Sequence, residues 1–232
     1  CGEIRVSGHG VKTRDGEQLP LELAYGEASG REDLLISPTI LPAVDLIDRW
    51  PDWRAPAVVL VGPPGSGKSH LGNIWKVASG ARDVTAEIRA GRNVPPDGKT
   101  FLFEDADRGA FDETQLFHLI NTVRQHRGSL LVTARALPAQ WNITLPDLRS
   151  RLAAATVVEI GAPDDALLRQ VIVKLFSDRQ LEVDERVVNY IVTRMDRSLD
   201  AAGGIVDAID KLALARGRRI SRALAADVLT AQ

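Results

Sequence analysis

Residues Gly62-Pro63-Pro64-Gly65-Ser66-Gly67-Lys68-Ser69 satisfy the pattern G-x-x-x-x-G-K-[ST] at every fixed position. No other stretch restricts the fold as much, because this pattern works only between a strand and a helix. Both flanks comply. Ala57-Val58-Val59-Leu60-Val61 is an unbroken apolar run with three valines, the composition of a parallel strand buried on both faces. On the other side, Ser69-His70-Leu71-Gly72-Asn73-Ile74-Trp75-Lys76 places apolar residues at helical spacing. The glycines let successive backbone N–H groups turn inward around a phosphate, and the start of the helix adds its positive dipole end. Lys68 has the reach for β- and γ-phosphates, the Ser69 hydroxyl can hold Mg²⁺, and His70 continues the cradle into the helix. A chance glycine-rich turn would not carry Lys-Ser in register between two such flanks. The expected ligand is ADP or ATP with Mg²⁺.

The chain of 232 residues, 44% of them hydrophobic, is long enough to bury a substantial core, in one large domain or one domain plus a small one. A formal charge of −2 gives no case for a general nucleic-acid binder. The single cysteine, Cys1, excludes an internal disulfide and a cysteine metal cluster, which suits a reducing cytoplasm. No apolar run approaches the roughly 20 residues of a membrane span, and no signal-peptide pattern opens the chain.

Residues 1–17 read as a poorly packed polar lead-in. In Gln18-Leu19-Pro20-Leu21-Glu22-Leu23 the leucines alternate, but Pro20 removes a backbone donor; the stretch reads as an edge strand or as an extended docking peptide. Ser37 can cap a helix with Pro38 at its first position, and Ile40, Leu41, Val44, Ile47 and Trp50 continue an apolar stripe as far as Pro51. Leu35 and Ile36, just ahead of it, are candidate adenine contacts. A weak strand is expected near Val84–Ile88.

Thr100-Phe101-Leu102-Phe103 then forms a second buried strand delivering Glu104 and Asp105 at its carboxyl end, beside the phosphates. One acid there helps to hold Mg²⁺, and the next can orient an attacking water. Glu104 is accordingly the expected metal partner of Ser69. Asp112 to Arg127 is an amphipathic helix stopped by Gly128, and Ser129–Ala134 a third strand, with Thr133 and Arg135 where a γ-phosphate sensor would lie. A fourth strand covers Thr156–Ile160. From Pro163 the β pattern stops, and Asp164–Arg179, Asp184–Met195, Leu199–Arg216 and Ser221–Thr230 read as helices. Lys211, Arg216, Arg218, Arg219 and Arg222 form a basic cluster that is either a solvated face or a contact to an acidic partner or nucleic acid. The expected architecture is α/β: a parallel five-stranded P-loop base with flanking helices at 34–162, a small helical lid at 163–232, and an N-terminal extension at 1–33.

A P-loop base followed by a four-helix lid, with Leu148-Arg149-Ser150-Arg151-Leu152 just before the last strand, resembles the AAA+ ATPases. More specifically, Leu34 to the C-terminus, including Gln115-Leu116-Phe117-His118-Leu119-Ile120-Asn121, resembles the DnaA-related family and its short branch typified by Hda. The resemblance implies an arginine finger at Arg151, acting in trans on the γ-phosphate held by a neighbouring subunit. It favours the docking reading of Gln18, Leu19, Leu21 and Leu23, as a peptide that seats in a cleft of the DNA polymerase III sliding clamp. Because the sequence ends with the lid, the helix-turn-helix DNA-binding domain of DnaA is expected to be missing, leaving DNA an indirect partner. The implied partners are the clamp and DnaA, with a homodimer left open, and the implied role is to stimulate hydrolysis of DnaA-bound ATP and so restrain replication initiation. Three positions depart from the family pattern: Glu104 replaces the first aspartate, Arg135 replaces an acid, and the lid arginine falls at Ala201, with Arg197 a turn earlier. Slow intrinsic hydrolysis, and ADP binding at least as strong as ATP binding, are the expectations that follow. Two other classes stay open: a DNA-remodelling or helicase-loading ATPase, and a scaffold that binds the clamp but supplies no finger.

Overall fold

A computed structural model of the chain describes Arg31, residues 34–94 and residues 99–230. The docking-peptide reading of residues 18–23 lies outside the described residues.

The apolar runs form one parallel sheet from β1 (Ala57–Val61), β2 (Arg82–Asp83), β3 (Thr100–Phe103), β4 (Ser129–Ala134) and β5 (Thr156–Glu159), in the order β2-β3-β4-β1-β5. Every position of β1 and β4 is buried, as their unalternating sequences require. The strand order reverses at β1, so the loop after β1 opens into a crevice at the carboxyl edge of the sheet.

Side chains alternate across the sheet and divide the core in two. Val58, Leu60, Leu102 and Leu131 pack under α1 (Leu41–Asp48) and α2 (Lys68–Ser79), against Val44, Ile47, Leu71, Ile74 and Trp75. Val59, Phe101, Phe103, Leu130 and Val132 face α3 (Thr85–Arg89), α4 (Glu113–Gln125) and α5 (Pro146–Ala153), meeting Ile88, Leu116, Ile120, Leu148 and Leu152. A third core belongs to the C-terminal helices α6 (Asp165–Asp178), α7 (Glu185–Val192), α8 (Leu199–Arg216) and α9 (Arg222–Thr230). Short polar side chains start three of these helices: Asp164 accepts from Leu167 N–H at 2.7 Å, Asp184 from Arg186 N–H at 2.7 Å and Ser198 from Ala201 N–H at 3.2 Å. No described helix is long and apolar enough to cross a membrane.

Two local expectations need correction. The first helix begins at Leu41 rather than after Ser37, whose hydroxyl is engaged with the Thr39 hydroxyl at 2.8 Å instead of capping a backbone amide. Residues 85–89 are helical, not extended: pairing with β3 ends once Val84 N–H reaches Leu102 O at 2.9 Å, and the Asp83 carboxylate then takes the Thr85 N–H at 2.9 Å. That bond turns the chain into α3.

Glu113 ties α4 to the loop entering α5. Its carboxylate accepts from Thr144 N–H at 3.0 Å, from Leu145 N–H at 2.6 Å and from the Thr144 hydroxyl at 3.0 Å. The Thr144 amide, then the Leu145 amide and Thr144 hydroxyl, hold its pKa below the usual carboxylate value. Since the folded state binds this proton less readily than the unfolded chain, the stabilisation is present above the ordinary glutamate pKa and is lost as pH falls through the folded value. Glu113→Gln is expected to destabilise by about 1 kcal/mol at neutral pH. The difference between the two proteins should shrink toward zero as acid unfolding is followed below about pH 4.

Candidate nucleotide site

The P-loop springs from the sheet through two backbone bonds, Gly62 N–H to Ala134 O at 3.1 Å and Ile160 N–H to Val61 O at 2.7 Å. Gly65 and Gly67 both take positive φ, 65° and 93°, which curls the loop around its own centre. Lys68 opens α2 and is buried; its ammonium donates to the Gly62 and Pro63 carbonyls, each at 2.8 Å, and lies 3.4 Å from Ser66 Oγ. Burial pushes the ammonium below its ordinary pKa, Asp105 pulls it back up and Arg135 pushes it further down.

In front of the loop lies a cleft of about 690 Å³, within the usual size for a cofactor site. One end is largely apolar, lined by Leu34, Leu35 and Ile40 from the entry segment and by Leu167, Val171 and Leu175 from α6, which also brings Lys174, Asp178 and Arg179 to the lining. The other end is polar and charged: Pro64 to His70, with Asp105, Arg108 and Arg135 from the strand ends. The helical region closes the top through Leu199, Asp200, Gly203 and Gly204 of α8, and Leu199 N–H donates directly to Gly65 O at 2.8 Å. A base fits the apolar end and its phosphates the loop.

Glu104 and Asp105 leave β3 together but do different things. Glu104 is anchored by its N–H on the Thr85 hydroxyl at 2.9 Å. Its half-buried carboxylate has a pKa raised chiefly by burial, against which the nearby Ser69 hydroxyl acts, and its Oε1 is buried with no partner. An orphaned carboxylate oxygen beside the P-loop hydroxyl is the donor set a Mg²⁺ ion needs, with phosphate oxygens and water filling the remaining positions. The residues therefore fit the metal, and Ser69 and Glu104 would hold it. Among the described residues no cluster of three or more His, Cys, Asp or Glu forms a self-contained metal site.

Asp105 sits in the left-handed region, φ 50°, and points into the cleft. Its N–H donates to the Thr133 hydroxyl at 2.9 Å and its carbonyl accepts from the Arg89 guanidinium at 2.8 Å; Arg89 also bonds the Glu104 and Arg108 carbonyls. The Arg108 guanidinium lies 3.5 Å from the Asp105 carboxylate. Backbone strain held by this many bonds fixes one carboxylate direction.

Because Glu104 resists ionising in the fold, its contribution to stability falls as pH rises from the unfolded pKa through the raised folded one. Without metal at neutral pH, Glu104→Gln is expected to raise Tm by roughly 2 °C. The same variant should lose the extra Tm gained when Mg²⁺ accompanies a nucleotide; a scanning calorimeter reads both.

The other expected site residues are dispersed. Leu35 lines the cleft, whereas Ile36 lies exposed outside it and Leu34 takes that place. Thr133 is wholly buried and spends its hydroxyl on Asp105, so it positions that acid instead of facing a phosphate. Ala201 sits behind the Ser198 cap, and Arg197 is paired with Asp165 at 2.9 Å. Arg151, in the last turn of α5, lies outside the cleft and makes no ion pair among the described residues. Sequence reasoning missed the α6 contribution, although a signal exists. α6 carries a second apolar stripe, Leu167, Val171 and Leu175, beside its core residues Leu168, Ile172 and Phe176; Val171 and Leu175 pack against that core and also line the cleft.

No protein-family profile matches the chain. A Haemophilus influenzae protein of uncharacterised function is 21% identical over 224 aligned residues, covering 88% of this chain and 95% of that one. Among solved structures, domain III of the replication initiation protein DnaA from Thermotoga maritima is similar with a TM-score of 0.73 at 16% identity, covering 88% of this chain and 96% of that domain. AMPPCP-bound DnaA from Aquifex aeolicus is similar with a TM-score of 0.63 at 17% identity, covering 80% of this chain and 66% of that one. The T158V variant of Thermotoga maritima RuvB is similar with a TM-score of 0.61 at 15% identity, over 83% of this chain and 68% of that one. The chain shares the fold of DnaA domain III and of RuvB.

Proposed function

We propose that this protein is a regulatory, nucleotide-binding member of the DnaA-related AAA+ class that acts on ATP held by a neighbouring DnaA subunit. The observation that carries this reading is the split of its machinery. Lys68, Ser69, Glu104 and Asp105 gather around its own cleft, while Arg151 stands apart from it on α5 with no ion pair among the described residues. A planar cation left unpaired outside its own site suits a partner's γ-phosphate. In this reading residues 34–162 are the ATPase base, residues 163–232 are the lid, and Gln18, Leu19, Leu21 and Leu23 dock the protein on the DNA polymerase III sliding clamp in the cytoplasm.

The test is ATP hydrolysis by DnaA in the presence of clamp and this protein. Wild type should stimulate turnover, and Arg151→Ala should cut that stimulation by at least about tenfold, a typical lower bound for losing a finger's charge stabilisation. Clamp binding, measured separately, should be unchanged by Arg151→Ala and lost when Gln18, Leu21 and Leu23 are changed to alanine. Stimulation that survives Arg151→Ala would remove the finger and leave a clamp-binding scaffold.

One observation favours a DNA-remodelling ATPase instead. Arg194 and Arg222 stand over the Tyr190 ring at 4.0 and 4.7 Å, with Arg218 and Arg219 exposed nearby in sequence, which is a surface suited to a phosphate backbone. Turnover stimulated by DNA alone, and reduced by changing these arginines, would decide for that reading.

A further inference from the structure

The turn that follows β3 is held by a residue outside every motif in the chain. Asp105 has φ 50°, a left-handed conformation that a residue with a Cβ keeps only when its surroundings impose it. The Arg89 guanidinium supplies much of that constraint. It donates to the Asp105 carbonyl at 2.8 Å, to the Glu104 carbonyl at 3.3 Å and to the Arg108 carbonyl. Three carbonyls of one turn thus converge on one planar cation, whose fork of donors can serve them together. Two backbone bonds complete the turn, Arg108 N–H to Asp105 O and Ala106 N–H to Thr133 O, each at 2.8 Å.

The element that carries Arg89 is itself fixed. Arg89 is the last residue of α3, and Ile88 beside it is completely buried. Thr85, one turn earlier on the same face, accepts Glu104 N–H with its hydroxyl at 2.9 Å. The Ile88 carbonyl accepts Asp112 N–H at 3.1 Å, at the start of α4. Arg89 lies outside the nucleotide cleft. It lines a second, open cavity with Gly109, and that cavity shares Asp105 and Arg108 with the cleft. Arg89 therefore grips Asp105 by its carbonyl, while the carboxylate is left to the cleft.

We propose that Arg89 is a positioning residue for ATP hydrolysis in this protein's own cleft: acting through the carbonyls of the turn, it aims the Asp105 carboxylate at the attacking water and adds nothing to nucleotide binding. The proposal rests on the nucleotide-binding reading of the cleft. In the step concerned, the water oxygen bonds to the γ-phosphorus as the bond from that phosphorus to the β–γ bridging oxygen breaks. ADP leaves with the bridging oxygen, one water proton passes to the Asp105 carboxylate and on to solvent, and hydrogen phosphate remains. A displacement of about 1 Å in the aligning carboxylate is enough to cost on the order of a hundredfold in rate. The loop and Lys68, which would hold the phosphates, are bonded to other partners, so nucleotide affinity does not depend on Arg89.

The test is single-turnover hydrolysis of ATP with Mg²⁺, alongside calorimetric binding of AMPPCP with Mg²⁺. Arg89→Gln should cut the rate constant by about ten- to a hundredfold while changing AMPPCP affinity by less than about threefold. Arg89→Lys, a point charge that cannot bridge three carbonyls, should recover part of the rate. A merely structural role would lower thermal stability and binding together, without that split. Excess Mg²⁺ should leave the Arg89→Gln rate where it is; restoration would place the effect at Glu104, whose carbonyl Arg89 also bonds, and overturn the assignment to Asp105. An unchanged rate, or one that falls only in proportion to affinity, overturns it as well. Should Arg89→Gln fail to unfold cooperatively, Arg89→Lys decides by the same two measurements, with a loss of at least about threefold in rate at unchanged affinity. A wild type that binds AMPPCP yet hydrolyses no ATP leaves Arg89 nothing to position, and the proposal fails while the nucleotide site stands. A wild type that binds no AMPPCP removes the nucleotide site, and the proposal falls with it.

Discussion

Trp75→Ala is expected to destabilise the protein by about 3–5 kcal/mol, the range for deleting a fully buried large side chain. Trp75 is completely buried on α2, stacked on Trp53 with centroids 5.1 Å apart and 17° between planes. Trp50 meets it edge-on at 6.3 Å and 88°. The two outer rings are pinned by their indole N–H groups, Trp53 on the Leu46 carbonyl at 2.8 Å and Trp50 on Ser129 Oγ at 3.2 Å, so neither can readily fall into the space left behind. Trp75 Nε1, in contrast, is buried without an acceptor. Its N–H is therefore a cost, and what Trp75 adds to stability is its ring surface and stacking. Trp75→Phe keeps a ring while removing the orphaned donor, and should cost less than about 2 kcal/mol. Urea unfolding of the three proteins measures this directly. An alanine variant within about 1 kcal/mol of wild type would mean that Trp50 and Trp53 do repack. The consequence reaches the site as well, because Trp75 holds the same helix whose first residue is Lys68.

The elements that follow a single strong period were legible in the sequence. β1, β3, β4 and β5 are apolar runs with no competing signal, and α6 to α9 carry both stripes and capping residues. The segment after α2 was not, because Val84 serves two elements: its N–H extends the pairing to β3 while its side chain joins the core beside Ile88 of α3. A window of residues cannot reveal that the Asp83 carboxylate takes the next amide and ends the strand. The same division holds in the site. The P-loop is legible because its chemistry is local, eight consecutive residues that fold around one anion. Thr133 and Arg135 are two apart on one strand edge, and alternation alone does not say which of them faces a nucleotide. Thr133 is drawn inward because the strained Asp105 amide needs an acceptor, a bond between residues 28 apart in sequence. Arg89 under the strand end and Leu167, Val171 and Leu175 along the cleft reach the site through tertiary packing, and the second apolar stripe of α6 is a local pattern that a core-facing helix also shows.

Gly65→Ala is expected to weaken nucleotide binding by at least about tenfold, through two separable penalties. The first is conformational: Gly65 has φ 65°, where a residue with a Cβ pays roughly 1–2 kcal/mol. The second is steric. A Cβ built on Gly65 would lie 1.9 Å from Ser198 Oγ, 2.7 Å from Ser198 Cβ and 3.1 Å from Ser198 Cα, and the first two distances are not tolerated. Either the loop flattens and its amides leave the phosphate, or the start of α8 moves off the loop. Movement of α8 breaks the bond from Leu199 N–H to Gly65 O at 2.8 Å and shifts the Leu199 side chain that packs beside Gly67. The two penalties can be told apart with Ser198→Gly, which removes both clashing side-chain atoms but leaves the φ cost and the contact with Ser198 Cα. Alone, Ser198→Gly loses the cap on Ala201 N–H at only a few tenths of a kcal/mol, since glycine is tolerated at a helix N-cap. Combined with Gly65→Ala it should recover part of the lost affinity, so that the four proteins of the cycle show a favourable coupling between positions 65 and 198. Dissociation constants for ADP and AMPPCP across that cycle are the measurement. Additive losses would show that the cost is carried by the loop's backbone alone and that α8 does not rest on the P-loop when nucleotide is bound. A coupling of the expected sign would make the α8–P-loop contact part of the bound state, holding the helical region over the cleft whichever nucleotide is present.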